Sequence, residues 1–241
     1  MIVLFSIRID EKMKIGAVIV AAGKGERFGE NIKKQFYPLK GKPIIVWTLN
    51  TFDEIDRIGE LIIVVEKEDK EFFLKEILSK YQFSKNIRLA EGGNMRQDSV
   101  FNGVTLISED VNIIVIHDGV RPFVSHEIIN NVIDESIREG AAIAAIKEND
   151  TTVSSRGGYI ESFFDRNSIY RVQTPQAFKR ELIVKGLNKA YKDGFYGTDD
   201  SSLITRIGKN VKIVEGSSKN IKITSRDDLY IAERILEDLR K

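Results

Sequence analysis

The chain reads as an α/β protein, a mainly parallel sheet with helices on both faces and a projecting β-arm. Three observations predict it. The runs Ile15–Val20, Leu61–Val65, Ile113–Ile116 and Ala141–Ile146 are apolar almost without break, as strands covered on both faces are. Amphipathic stretches fall between them, and strand–helix alternation implies parallel strands joined by right-handed crossovers. From Lys147 to Gln173 the pattern turns polar and turn-rich, which marks a segment outside the sheet.

Pro43–Phe52 predicts a helix with proline in its first turn, where the missing N–H costs nothing. Glu68–Lys80 predicts a second, with Phe72, Phe73, Ile77 and Leu78 on or near one face. Arg96–Leu106, His126–Arg138 and Arg226–Leu239 are further helices. The stripe Leu229, Ile231, Ala232, Ile235 and Leu239 marks the last. Within the arm, Thr151-Thr-Val and Tyr159-Ile flank Gly157-Gly158, a good hairpin turn. A lone two-stranded hairpin is marginal in water. The arm, about 147–173, must pack on something, and a second subunit is the natural candidate.

The chain has 241 residues, enough for one sizeable domain with a small insertion. Lys+Arg number 37 against 36 Asp+Glu, so no global field argues for a nucleic-acid partner. With no cysteine, disulfides, zinc–thiolate sites and cysteine nucleophiles are excluded. Two histidines, His117 and His126, are too few for a multi-histidine metal site. Ile2–Phe5 is too short to span a bilayer and no cleavage site follows. The expectation is a cytoplasmic protein without membrane contact, residues 1–12 being an N-terminal extension and 13–241 the domain.

Ligands of parallel sheets sit at the carboxyl ends of the strands. That rule gathers Ala21–Gly29, Glu91–Arg96 and His117–Pro122 around one crevice. In the first of these loops, the Walker pattern fails because Phe28 stands at its second glycine, and the same residue spoils the dinucleotide fingerprint. A nucleotidyltransferase loop, A-x-G-x-G-x-R with lysine roughly seven residues on, fits Ala21, Ala22, Gly23, Gly25, Arg27 and Lys34. Small residues would let a base lie against the backbone, and glycine amides would approach phosphate oxygens. On this stretch alone, a triphosphate grip and a solvated basic turn are equally well served.

Further motifs lie in order along the chain. They are Gly92-Gly93-Asn-Met-Arg96-Gln-Asp-Ser99, His117-Asp118-Gly-Val-Arg121-Pro122, Asp150-Thr151, Asp165-Arg166, Gln173-Thr-Pro-Gln176, Thr198-Asp199-Asp200 and Asn220-Ile-Lys222-Ile-Thr224. With the first loop, this set resembles the 2-C-methyl-D-erythritol 4-phosphate cytidylyltransferase family over residues 15–240. The resemblance implies a Rossmann-like fold whose β-arm is used for dimerisation, and a nucleotidyltransferase of the non-mevalonate isoprenoid pathway, with CTP and methylerythritol phosphate as partners, Mg²⁺ as cofactor, and a homodimer with shared active sites.

The resemblance also assigns roles. Arg27, Lys34 and Lys222 are the catalytic cations around the α-phosphate. Ala21, Ala22, Gly23, Gly25, Gly93, Asn94, Arg96 and Ser99 bind the nucleotide. Asp118, Arg121, Thr151, Arg166, Thr174 and Thr198 bind the second substrate, and Asp118 also holds the metal. His117 is expected to pack or hydrogen-bond rather than catalyse, and His126 to lie on a helix surface. The family commonly has alanines where this chain has Gly119 and Val120, Asp where it has Asn94, and proline where it has Lys33. Valine at position 120 is a tendency of ribitol-5-phosphate cytidylyltransferases, the alternative within the class. A non-catalytic nucleotide-binding module is the alternative outside it, as is an NAD(P)-dependent oxidoreductase, which Phe28 disfavours.

Overall fold

The computed structural model describes residues 13–23 and 32–239. Strand β1 (Ile15–Val20) leads to a short hairpin, β2 (Pro38–Leu39) and β3 (Lys42–Pro43), and helix α1 (Ile44–Asp53). Then come β4 (Ile58–Val65), α2 (Lys70–Phe72) running into a π-helical turn (Phe73–Leu78), β5 (Asn86–Glu91), α3 (Arg96–Leu106), β6 (Ile113–Asp118), α4 (His126–Glu139) and β7 (Ala141–Lys147). The arm strands β8 (Val153–Arg156) and β9 (Tyr159–Phe163) follow. After them lie β10 (Tyr170–Lys179), α5 (Arg180–Lys192), α6 (Asp200–Arg206), β11 (Lys212–Glu215) and α7 (Asp227–Leu239).

Seven strands form one sheet in the order β11-β7-β10-β6-β1-β4-β5. β1 is an inner strand, parallel to β4 on one side and β6 on the other. Side chains alternate along it as a pleat requires. Ile15, Ala17 and Ile19 face α1, α4 and the π-helical turn, while Val18 faces α3, α5 and α6. Both faces are therefore covered, which is why these strands carry no polar alternation. A third cluster, with Leu39, Ile44, Val120, Ile223, Ala232 and Leu236, fastens α7 over the β2–β3 hairpin.

Local chemistry sets the boundaries. Pro43 stands just before α1 at φ −52°. Ser125 caps α4, its hydroxyl accepting from Ile128 N at 3.2 Å, and Gly140 ends that helix at φ 93°. Gly157 and Gly158, at φ 59° and 86°, make the hairpin turn that joins β8 to β9.

Two expectations are corrected. The stretch 68–80 is not one regular helix: a 3₁₀ turn, a short α segment and a π turn succeed one another. This buries Phe73 and Ile77 but leaves Phe72 exposed, beside the Phe36 ring at 4.8 Å. The arm does not end as a separate unit at Gln173 either. β10 leaves it as an exposed strand and enters the main sheet antiparallel to both β6 and β7.

α3 lies so close to the sheet that a Cβ on Gly103 would run into Val18 Cγ1 and approach Val64 Cγ2 to 2.9 Å. Gly103→Val should lower stability in urea unfolding by about 3 kcal/mol, the upper part of the usual overpacking range. Gly103→Ala should cost less, because alanine's helix propensity offsets about 1 kcal/mol. A valine variant as stable as the parent would mean that α3 is not seated on Val18.

Candidate functional site

Three loops leave the carboxyl ends of β1, β5 and β6, and each is pinned by one more ladder bond. Ala21 N donates to Val64 O at 2.8 Å, Gly92 N to Val65 O at 2.7 Å, and Gly119 N to Val20 O at 2.8 Å. A buried backbone needs such partners, and here they fix the cleft floor. A Cβ on Gly119 would meet Ile45 Cδ1 at 2.6 Å, so an alanine there would need the tip of Ile45 to shift. Val120 is buried beneath α7, and its carbonyl accepts from Ile223 N at 2.9 Å.

A cavity of about 400 Å³ lies over these loops. Ala21, Ala22, Gly23, Lys34, Gly93, Asn94, Arg96, Ser99, Asp118 and Lys222 all line it. Sequence separation of up to two hundred residues is thus closed into one site. Gln35, buried beside Lys34, donates from Nε2 to Gly23 O at 3.3 Å and steadies the first loop. The Ser99 hydroxyl accepts from Gly93 N at 3.0 Å and donates to Met95 O at 3.3 Å. It therefore shapes the loop whose residues line the cavity. Lys33, where the family commonly has proline, sits at φ −60°, the angle proline would impose, and pairs with Asp69 at 2.8 Å.

A second cavity of about 310 Å³ adjoins the first and is lined by Arg121, Thr174 and Thr198. Arg96, Asp118 and Lys222 line both. The Asp118 carboxylate receives Lys222 Nζ at 2.9 Å, Arg96 Nε at 3.3 Å and Arg121 Nε at 3.5 Å. Burial raises its pKa, but the charges of Arg96, Lys222 and Arg121 outweigh that and hold it well below the usual carboxylate range. Asp118 was expected to hold a metal. Its surroundings do not fit that role, because a divalent ion would arrive against three positive charges. Among the described residues, no three of His, Asp or Glu converge elsewhere either.

Arg96 is gripped from behind by Asp200, with Nη1 and Nη2 donating at 3.0 and 2.8 Å. Burial works against the guanidinium, yet Asp200 and Asp118 keep it charged. The Asp200 carboxyl itself is raised by burial beyond what Arg96 offsets. Asp200 stands in the Thr198-Asp199-Asp200 motif, but sequence reasoning gave it no role of its own. The signal was available: an acid directly after the helix cap Asp199 and three residues before the buried Leu203. Gln97 and Gln176 hold the same segment, through Gly197 N at 2.9 Å and Asp199 Oδ2 at 2.9 Å, and so place Thr198.

His117 is fully buried and makes no approach to either cavity. Its Nε2 lies 3.1 Å from Arg121 O, which can only accept, so that nitrogen carries the proton. Nδ1 then accepts from the Thr174 hydroxyl at 3.0 Å, and that hydroxyl accepts from Asp118 N at 3.0 Å. The proton of Thr174 is thus committed to His117, which leaves the threonine an acceptor at most towards a ligand. Burial pushes the His117 ring down to about 4. His126 lies exposed on α4, 3.2 Å from Glu54.

Arg27 and Gly25 lie outside the described residues. Thr151 and Arg166 are exposed on the arm and line neither cavity. All other expected residues gather at the two cavities.

A mostly parallel sheet whose strand ends carry a small-residue cleft opening onto clustered cations is an arrangement suited to a nucleotidyltransferase. The family model of 2-C-methyl-D-erythritol 4-phosphate cytidylyltransferase (IspD) matches residues 15–238. The chain belongs to that family. Among curated relatives, the cytidylyltransferase of this name from Clostridioides difficile is 44% identical over 91% of this chain and 92% of its own. That of Caldanaerobacter subterraneus is 41% identical over 93% and 99%. The crystal structure of 4-diphosphocytidyl-2C-methyl-D-erythritol synthase from Anaerococcus prevotii superposes with a TM-score of 0.83 at 34% identity, covering 94% of this chain and 97% of that one.

His117 gives a pH signature. Its pKa falls from an ordinary 6.5 to about 4 on folding, so below pH 6.5 the unfolded chain binds a proton that the folded chain refuses. Stability from this group is full above pH 6.5 and declines as the pH drops towards 4, by up to about 3 kcal/mol. Asp200, whose carboxyl is raised, acts oppositely, so the comparison is with His117→Asn. Chemical denaturation between pH 4 and 7 should show the wild type losing stability relative to the variant as the pH falls. Parallel curves would contradict a neutral buried ring.

Proposed function

We infer that this chain transfers the cytidylyl group of CTP to 2-C-methyl-D-erythritol 4-phosphate, releasing pyrophosphate, in the non-mevalonate isoprenoid pathway. One observation carries the inference: two adjacent cavities share Arg96, Asp118 and Lys222 as their common wall. The glycine-lined cavity suits the nucleotide, and its neighbour, with Arg121 and Thr198, suits the alcohol phosphate.

In this reading, a phosphate oxygen of methylerythritol phosphate attacks the α-phosphorus of CTP in line. The new P–O bond forms as the bond to the bridging oxygen breaks, and pyrophosphate leaves with the electron pair. The nucleophile is already anionic, so no general base is required. This agrees with a His117 that is buried and fully hydrogen-bonded. Lys34 and Lys222, with Arg27, would neutralise charge that grows on the phosphoryl oxygens, the usual source of rate in phosphoryl transfer. Gly93, Asn94 and Ser99 belong to the loop that meets the base. Magnesium would add further charge neutralisation, but the side chains around Asp118 supply no site for it.

The exposed faces of the arm support a second copy as partner. Tyr159, Ile160 and Phe163 are 82%, 60% and 68% exposed within one chain, an apolar patch of the kind that marks an interface. Arg166 and Thr151 on the same arm would then reach the second cavity of the partner, where a guanidinium suits a phosphate dianion.

The first test is pyrophosphate release from CTP with methylerythritol phosphate, against ribitol 5-phosphate as the competing acceptor. Release with ribitol phosphate alone would overturn the substrate assignment. Lys222→Ala and Lys34→Ala should each lower turnover by roughly 10²–10³-fold. Mixing Arg166→Ala subunits with Lys34→Ala subunits should restore part of the activity, because one site of each hybrid is intact. No restoration would argue against sites shared across a dimer.

A further inference from the structure

Lys222 is delivered by an irregular segment between β11 and α7, and its side chain is 36% exposed. Nothing in helix or strand geometry sets its position. Two neighbours do. On one side, Ile223 is fully buried under α7 and its N–H donates to Val120 O at 2.9 Å. On the other, Asn220 is a fully buried amide. Its Nδ2 donates to Thr174 O at 2.8 Å and reaches Gln173 Oε1 at 3.3 Å. Its own carbonyl accepts from Arg121 Nη1 at 2.8 Å and from Gln173 Nε2 at 3.3 Å.

The reason for an amide lies in the sheet. The β10–β7 register breaks between Val172 and Gln176, so the ladder skips Gln173, Thr174 and Pro175. A buried carbonyl at Thr174 then needs another donor, and Asn220 Nδ2 is that donor. The Oδ1 end of the same amide is buried with no partner, so the donor end does the holding. Thr174 in turn accepts from Asp118 N through its hydroxyl at 3.0 Å. Lys222 and its counter-ion Asp118 are thereby hung on one frame.

We propose that Asn220 is a positioning residue for cytidylyl transfer, which fixes through Thr174 and Gln173 the segment that presents Lys222 beside Asp118. The proposal rests on the reading of Lys222 as a catalytic cation. Asn220 lines neither cavity, so its removal should act on turnover and spare nucleotide affinity.

The test is a double-mutant cycle on the full chain with Asn220→Ala, Lys222→Ala and the pair, read as kcat, KM for methylerythritol phosphate and the CTP dissociation constant. A misplaced reacting group typically costs about 10²-fold, so Asn220→Ala should lower kcat by roughly that factor with CTP affinity within about threefold. In the Lys222→Ala background the same substitution should lower kcat by less than about threefold, the effect having passed through the lysine. An undiminished loss in that background would overturn the proposal, as would wild-type kcat in a folded Asn220→Ala protein. If that variant does not fold, Asn220→Leu, which fills the same space without a donor, is carried through the same cycle with the same two overturning results. A Lys222→Ala protein with wild-type kcat would instead remove the reading of Lys222, whatever Asn220 does.

Discussion

A buried carboxylate facing three cations is the constraint around which the site is arranged. Asp118 ends the central strand β6 and meets Arg96, Arg121 and Lys222 within 3.5 Å. Without it, three positive side chains would converge in a partly desolvated space with nothing between them. Removing one member of such a cluster leaves uncompensated buried charge, which is costly. The carboxylate therefore lets cations stand close together before any phosphate arrives. Its own anchoring is by backbone, through Gly119, Thr174 and the ladder to β1, rather than by the charges it serves.

The scaffold brings distant parts of the chain to that carboxylate by different means. Arg96 comes from the first turn of α3 and is oriented by Asp200, more than a hundred residues later. Arg121 comes from the loop after β6 and uses its Nη1 on the carbonyl of Asn220. Lys222 comes from the segment before α7, which the third apolar cluster presses onto Val120. Hydrophobic packing sets where the elements lie, and a few buried amides and acids set where the charges point. The first kind of force is tolerant of substitution and the second is not, because each polar partner removed leaves another unsatisfied.

Much of this could be read from residue patterns, for reasons that differ by element. β1 and α3 fall where expected to the residue, because their boundaries coincide with glycine, a cap or a polar break. β6 runs two residues beyond the apolar run that announces it: His117 and Asp118 are buried polar residues, and polarity hides burial from any reading of hydrophobic pattern. α5 escaped because Gly186 interrupts its spacing. That glycine sits there so α6 can approach, with Leu203 O 3.1 Å from where a Cβ would lie. The π turn after Lys70 escaped because one inserted residue shifts the buried set without changing composition. In the site, motif spacing located the cations and loops. It could not separate residues that would touch a ligand from those that hold others: Thr174 lines the second cavity and also holds Asp118 N and His117, while Asp200 and Asn220 were assigned no role.

The passage of β10 from the arm into the main sheet governs where this chain can change length. Tyr170–Val172 face solvent while Gln176–Phe178 are wedged between β6 and β7. Adding or deleting a single residue within that strand would move its buried side chains to the opposite face of the sheet and shift Thr174 away from Asp118. The Gly157–Gly158 tip is bound by neither restriction. Added or lost residues are accommodated at the far end of the hairpin, so the reach of the arm can change while the distance from its base to Asp118 and Arg121 stays fixed.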